Sequence, residues 1–497
     1  MSAAADKPYD HALVWLRRDL RADDHAALYH ALRGARRVWC AYVFDRAVLD
    51  ALPRRDRRVE FVRDSLLGVD GELRALAASH GVEGAGLIVR HGLAADELPA
   101  LAAALRVQTV FAAHDDDPGV RAHDQRVHGR LADAGIALQL VKDHVIFARD
   151  ELLTEGGLAF TSFAPYRSAW LKKLAPYYLK PYPLGHHAAA LAPRPEGERG
   201  VPPLAEIGFE ATNLHRLRLP SGPAGAAEML ADFLTRIDRY HETRDFPAVK
   251  GPSYLGPHLR LGTLSIRRAA QAAHERAQAG SRGARAWLTE LIRRDFLHQL
   301  LHHHPHLATQ PFRREFERMR WEHGRHADAL FAAWCDGRTG YPLVDAAMRQ
   351  LAQTGYMHHR LRALAAGFLV KDLGIDWRRG QAHFARHLND FDAAANIGGW
   401  QLAASCGSDA PPWARIVEPV ALGRTLDPEG RFIRRYLPEL APLADEFVHA
   451  PWLARPSDLD AAGLRLGEQY PAPVVEHAAA RRRALERYAM AKAAAGG

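Results

Sequence analysis

The run His11-Ala12-Leu13-Val14-Trp15-Leu16, followed at once by Arg17-Arg18-Asp19-Leu20-Arg21, sets the reading of the N-terminal third of the chain. Its apolar and aromatic residues describe a strand buried on both faces. Four similar runs follow: 37–44 (RVWCAYVF), 86–91 (GLIVRH), 109–113 (TVFAA) and 137–142 (ALQLVK). Between them, stretches such as 57–79 and 94–105 carry apolar residues at helical spacing, so strand and helix alternate. That order predicts an α/β domain on a doubly wound parallel sheet. The charged segment after the first strand stands where a dinucleotide site has G-x-G-x-x-G, so no ordinary NAD site is expected there.

The chain has 497 residues, 66 Lys+Arg against 58 Asp+Glu for a formal net charge of +8, and 48% hydrophobic content. At about 150 residues per domain this predicts two or three domains with cores of their own, and it excludes a disordered or collagen-like chain. No run approaches the roughly 18 to 20 apolar residues of a membrane span, and residues 1–9 lack a secretory hydrophobic segment. A cytoplasmic protein with no membrane partner is expected. Cys40, Cys335 and Cys406 never form C-x-x-C, which leaves no disulfide framework and no Cys-rich zinc site. The first 150 residues are near neutral and the remainder carries the positive excess. Such a portion suits a polyanionic partner, although a charge spread this widely also describes a solvated surface.

Proline recurs from Pro176 to Pro223, which defeats regular helix and marks a long connection wrapped around something. From Ala224 onward the periodicity is helical, with Gly and Pro breaks near 251–257, 305–311, 337–342, 374–380 and 398–412. The expected division is therefore an α/β domain over 1–150, a linker over 151–223, an all-α domain over 224–490 and a tail over 491–497.

Three places could carry chemistry. Glu290 and Arg294 lie one turn apart on a helix, a spacing that by itself describes a surface ion pair worth a few tenths of a kcal/mol. Asp390 and Asp392, followed by Asn396 and the Gly398-Gly399 break, make a compact polar cluster amid apolar helices, which implies a buried polar ligand or a satisfied turn. His302-His303-His304-Pro305-His306 ends a helix, where histidines favour the helix dipole; no metal is expected.

The segments Leu13 to Arg21, TGYPLVDAAMRQL (339–351), FLVKDLGIDWR (368–378) and Asp390 to Ser405 together resemble the DNA photolyase/cryptochrome flavoproteins. The resemblance runs over nearly the whole chain and is nearest to the bacterial cyclobutane pyrimidine dimer photolyases. It implies a U-shaped FAD in the helical domain. In that family's pattern Asp390 and Asp392 match flavin and ribose contacts, and Asn396 matches the residue facing the flavin N5. Tyr240, Arg244, Ser253 and Leu255 fall in the segment holding the diphosphate, while Glu290 and Arg294 flank the cofactor and substrate cavity. Trp400, Trp377 and Trp321 match the chain of indoles that passes electrons to the excited flavin, although a single tryptophan is more often simply core. The family's second, antenna chromophore is a methenyltetrahydrofolate or a deazaflavin, and residues 113–117 (AHDDD) fit the folate pattern only loosely.

The sequence departs from the family at several points. The phosphate loop reads Pro252-Ser253-Tyr254-Leu255-Gly256-Pro257-His258-Leu259, two hydroxyls short of the usual pattern; backbone N–H groups can still serve a diphosphate. In the lesion pocket, Arg293 and Leu402 replace tryptophans, and Met357-His358-His359-Arg360-Leu361-Arg362-Ala363 varies the usual motif. Glu418 and Thr425 replace an asparagine and a lysine, while Arg415 is retained. Glu290, Arg293, His359, Arg360, Leu402 and Arg415 are thus the implied contacts to a flipped-out lesion. The implied enzyme is a carbon–carbon lyase that splits pyrimidine dimers in damaged DNA by electron transfer from reduced FAD. It is expected to be a monomer without an obligate protein partner. The alternative is a cryptochrome-like blue-light sensor that has lost or altered repair.

Overall fold

The computed structural model describes residues 7–495. Five parallel strands, β1 (Tyr9–Leu16), β2 (Ala35–Asp45), β3 (Leu87–Gly92), β4 (Thr109–Ala113) and β5 (Ala137–Val141), form one sheet in the order β3-β2-β1-β4-β5. All five coincide with the apolar runs read from the sequence, to within two residues at each end. β1 lies at the centre, with Val14 opposite Cys40 of β2 and Phe111 of β4. Successive side chains of a strand face opposite ways. Ala12, Val14 and Leu16 accordingly pack with Leu28 and Leu32 of α1 (Ala26–Gly34) and with Leu66, Val69 and Leu73 of α2 (Arg57–Ala78) on one side. Leu13 and Trp15 pack with Leu98 and Leu101 of α3 (Ala94–Ala104) and with Val127 and Leu131 of α4 (Pro118–Asp133) on the other.

The chain falls into two compact units, and they cut it elsewhere than the division at 150 and 224. The first comprises the residues up to Ala159, Arg167–Ile237 and Ser253–His302; the second comprises Phe160–Tyr166, Asp238–Pro252 and the chain from His303 on. The proline-rich stretch belongs to the sheet unit because its backbone bonds to the sheet. Ala192 N donates to Val38 O at 2.9 Å, Val89 N to Arg199 O at 3.0 Å, and Trp39 Nε1 to Pro193 O at 2.9 Å. The chain thereby covers the edge strand β3, whose backbone groups would otherwise stay open to another chain.

Buried charge holds α5 (Ile266–Gln278) and its neighbour α6 (Arg282–His303) to the same unit. Arg267 lies 2.8 Å from Asp24 and 2.8 Å from Asp143, and Arg21 lies 2.6 Å from Asp143. All four side chains are buried. Leu20 N donates to Leu261 O at 3.0 Å, and the chain at Gly262 comes so close that a Cβ there would overlap Arg18 O and stand 2.7 Å from Asp19 Cα. With its φ of +66°, this position suits glycine alone.

The second unit is helical: α7 (Pro342–Thr354), α8 (His359–Gly367), a π-helical turn at Phe368–Asp372, α9 (Trp377–His387), α10 (Ala393–Ala403) and α11 (His477–Ala495) surround one apolar core. The TGYP motif is a capping device. Asp345 accepts from Thr339 N at 2.7 Å, Thr339 Oγ1 at 2.6 Å, Gly340 N at 3.0 Å and Tyr470 OH at 2.7 Å, which fixes the turn entering α7. Two sequence expectations are corrected. Gly398 and Gly399 lie inside α10 and do not break it: the Asp392 cap and the buried Asn396, Ile397 and Trp400 hold a helix in which each glycine costs about 1 kcal/mol relative to alanine. α11 continues through Ala495, so residues 491–495 are helix and not tail.

Asp143 sits well below the ordinary carboxylate range: burial opposes its charge, and Arg21 and Arg267 overcome that penalty. Its contribution to stability is therefore present above about pH 4 and is lost as the pH falls below that value. Arg267→Ala leaves two buried carboxylates short of a cation and is expected to destabilise the protein by about 3–5 kcal/mol. Urea unfolding at neutral pH measures this, and a loss under about 1 kcal/mol would contradict the assigned role.

Candidate functional site

Asp390, Asp392 and Asn396 converge at the start of α10. Asp392 is the N-cap, its side chain accepting from Ala395 N at 3.1 Å. Asp390 is gripped by Arg362 of α8, with Nη2 3.0 and 2.8 Å from its two oxygens, and Arg362 is itself fixed by Nε donating to Met357 O at 2.8 Å. Asn396 is buried and donates through Nδ2 to Gln381 O at 3.1 Å, which leaves its amide oxygen as an acceptor. Nearby on α9, Gln381 Oε1 is buried with no hydrogen-bond partner, and the same holds for Trp400 Nε1. Orphaned buried polar atoms beside an ion pair and an amide are what a polar heterocyclic ligand would satisfy.

Trp400 and Trp377 are buried in the core of this unit, and Trp321, half-buried, packs against that core. Trp400 meets Phe384 edge-on at 5.0 Å and Trp334 at 6.1 Å between ring centroids. Trp334 was not singled out by sequence, where nothing distinguishes it from any other core tryptophan.

His359 Nε2 and Arg360 Nη2 both reach Asp245, at 3.1 and 2.5 Å, while His358 Nε2 bonds Arg244 O at 2.7 Å. Burial works to raise the Asp245 pKa, but the hydrogen bond and charge of Arg360 prevail and hold it at about 2. Asp245 escaped the sequence reading because His359 and Arg360 stand more than 100 residues away. Tyr240 is buried beneath the Arg244 guanidinium, 5.1 Å from the ring centre. Leu402 is half-buried on α10. Arg415 is exposed, its carbonyl accepting from Lys371 Nζ at 2.8 Å. Burial lowers the Lys371 pKa to about 8.

The remaining predicted residues belong to the sheet unit. Ser253 Oγ accepts from Leu255 N at 3.4 Å and Leu255 is fully buried, at the entry to a helix over Gly256–Leu261. On α6, Glu290 lies 3.9 Å from Arg293, and Arg294 donates to the carbonyls of His144 and Leu259, the latter at 3.4 Å. Arg294 is thus tied to backbone in addition to whatever its spacing from Glu290 suggests. The three carboxylates of the AHDDD segment are all engaged within the chain: Asp115 with Arg18 at 2.7 Å, Asp116 with His144 at 3.3 Å, and Asp117 as the N-cap of α4.

The sequence model of DNA photolyase matches residues 12–187, and that of the FAD binding domain of DNA photolyase matches residues 287–490. The deoxyribodipyrimidine photo-lyase of Vibrio cholerae is 35% identical over 490 residues, covering 97% of this chain and 99% of that protein. The chain belongs to the DNA photolyase family. Among solved structures, a bacterial class III photolyase from Agrobacterium tumefaciens superposes with a TM-score of 0.86 at 31% identity, covering 99% of this chain and 100% of that one. A cryptochrome from Synechocystis superposes at 0.85 with 26% identity, covering 96% and 99%. The fold is the photolyase fold, a parallel five-stranded domain with a helical FAD-binding domain, and the polar trio and its orphaned neighbours stand inside the FAD-binding match.

The closeness of α9 and α10 in this family member rests on Gly380: a Cβ there would overlap the Trp400 ring and stand 2.6 Å from Leu369 Cδ2. Gly380→Ala is expected to cost about 1–3 kcal/mol in stability through overpacking and to alter the Trp400 fluorescence environment. Unchanged unfolding together with unchanged emission would refute the tight contact.

Proposed function

We propose that this chain is a deoxyribodipyrimidine photo-lyase that binds DNA containing a cyclobutane pyrimidine dimer and splits the dimer in blue light. The observation that carries the reading is the cluster of Arg362, Asp390, Asp392 and Asn396 at the head of α10, inside the matched FAD-binding domain of a chain similar end to end to enzymes of that name. Reduced FAD, when bound, supplies the electron that opens the cyclobutane ring and takes it back afterwards. Asp390, paired with Arg362, and Asp392 offer acceptors to ring and ribose donors. The Asn396 oxygen is available to an N–H at the flavin N5. Tyr240, Ser253, Leu255 and Arg294 serve the rest of the cofactor. A folate or deazaflavin antenna belongs to the same reading.

Glu290, Arg293, His359, Arg360, Leu402 and Arg415 are proposed to meet the flipped-out lesion, whose weakened pairing lowers the cost of extrusion. The arginines add a cationic stacking plane and phosphate contacts. Acting on damaged DNA, it works in the cytoplasm, as a monomer. Trp400, Trp377 and Trp321 pass from buried to half-buried, the order a chain of indoles needs to carry an electron inward from solvent.

Photorepair of an oligonucleotide carrying one thymine dimer tests the function. Light-dependent recovery of intact thymines is expected; photoreduction of the flavin without any repair would replace this reading with that of a light sensor. Trp377→Phe keeps volume but removes the electron donor, so photoreduction in the presence of an external reductant should fall severely while the fold persists. Equal rates in variant and parent would remove the chain of indoles from the mechanism.

Restoring aromatics with Arg293→Trp and Leu402→Trp should add stacking worth about 1–3 kcal/mol per base. Preference for damaged over undamaged DNA should then rise about tenfold or more, with little change in salt dependence. If the parent already repairs well and the double variant is worse, Arg293 is itself a lesion contact.

A further inference from the structure

The helix-end histidines that the sequence assigns to the helix dipole do something else in the structure. His302 Nδ1 lies 3.3 Å from Asp116 Oδ1, and His298, one turn earlier on α6, places Nδ1 3.6 Å from Asp116 Oδ2. His144, from the segment after β5, brings Nε2 to 3.3 Å from the same oxygen. The side chain of His114, two residues before Asp116, completes a buried set with Asp116 and His144 whose ligand atoms all lie within 4.8 Å of one another. These residues come from the end of β4, the segment after β5 and α6, all within the sheet unit. They gather at the carboxyl end of β4, beside the point where the strand order reverses and where open α/β sheets hold ligands.

Hydrogen bonding alone accounts poorly for this cluster. A charge-assisted N–H···O⁻ bond spans about 2.7–2.9 Å, and the three contacts to Asp116 are 3.3, 3.6 and 3.3 Å. Two donor atoms sharing one ion at bonds of about 2.0–2.1 Å in tetrahedral geometry stand about 3.3–3.4 Å apart. The cluster also leaves His114 Nδ1 buried without a hydrogen-bond partner. His114, Asp116 and His144 are all buried, so two imidazoles and a carboxylate face one another away from water. The cations nearby are accounted for. Arg18 pairs with Asp115 at 2.7 Å, and Arg149 Nε stays 3.8 Å from Asp116, beyond hydrogen-bond length, on a side chain 37% exposed.

We propose that His114, Asp116 and His144, with His302 or His298 as the fourth ligand, bind one divalent transition-metal ion of the zinc class. Neutral imidazoles and one carboxylate are the donor set such ions take, and a site closed by four protein ligands is structural. The ion would clip α6 to the end of β4.

The test uses the full-length, untagged, FAD-loaded protein, stripped with a chelator, re-equilibrated with Zn²⁺ and counted by plasma mass spectrometry. One zinc per chain is expected. Co²⁺ loading should give the intense visible bands of a tetrahedral nitrogen and oxygen site, and the thermal midpoint should rise on loading. His144→Gln and Asp116→Asn should each weaken Zn²⁺ binding by more than about tenfold, whereas His306→Gln, in the same histidine run but exposed, should bind as the parent does. The proposal is overturned if the parent retains no zinc above background, or if either variant keeps the parent's stoichiometry and affinity. Should a variant fail to fold, the cobalt spectrum of the parent decides: tetrahedral bands support the site, and their absence under excess Co²⁺ overturns it.

Discussion

Four buried charges, Asp24, Arg267, Asp143 and Arg21, decide which parts of the chain fold together in the sheet unit. Removing charges from water is costly unless each finds a partner at close range, and here each does. The partners lie 122 to 243 residues apart in sequence. They therefore fix long-range topology: α5 cannot leave the sheet without exposing or orphaning the carboxylates. Once α5 is fixed, Gly262 must press on Arg18, and α6 follows it. α6, which carries Glu290, Arg293 and Arg294, adds a buried apolar face of its own, with Trp287, Leu288, Leu291, Ile292 and Phe296.

In the helical unit the constraints are of two other kinds. Asp345 condenses four donors onto one carboxylate and so fixes the start of α7, which turns a short sequence motif into a rigid corner. Gly380 lets α9 approach α10 until only a hydrogen atom fits against the Trp400 ring. Both devices act far from solvent and tolerate little variation in side-chain volume. Together they give Asp390, Asp392 and Asn396 a stiff floor, which a site that orients a heterocycle requires.

The sequence made the sheet legible because buried parallel strands are short apolar runs, rich in β-branched and aromatic residues, separated by stretches of helical periodicity. The polar cluster at 390–396 was legible because its members are close in sequence. Arg362 with Asp390, Asp245 with Arg360, and Asp116 with His302 were not, since pairing across 28, 115 and 186 residues leaves no local trace. The same reason hid the allegiance of 253–302: helical periodicity says that a segment is a helix and is silent about which core it joins. Gly398-Gly399 misled in the opposite sense, because local propensity suggested a break that the Asp392 cap and buried neighbours override.

The buried polar groups sort into two kinds, and the contrast carries functional meaning. Asp24, Asp143, Arg267 and Asp345 are satisfied by the chain itself with short contacts, as structural groups must be when water is excluded. Gln381 Oε1 and Trp400 Nε1 in one unit, and His114 Nδ1 in the other, are among the buried atoms with no such partner, a set that also includes Asp295 Oδ1 and Gln299 Oε1. At the head of α10 and at the end of β4 the unpaired atoms also sit beside a carboxylate, Asp390 paired with Arg362 and Asp116 close to His144, so each place combines donors and acceptors within a few ångströms. Leaving buried polar atoms unpaired costs about 1–3 kcal/mol apiece, and a bound ligand that pairs with them recovers that cost. At the head of α10 and at the end of β4, a ligand from outside the chain would therefore relieve a cost that the chain leaves in place.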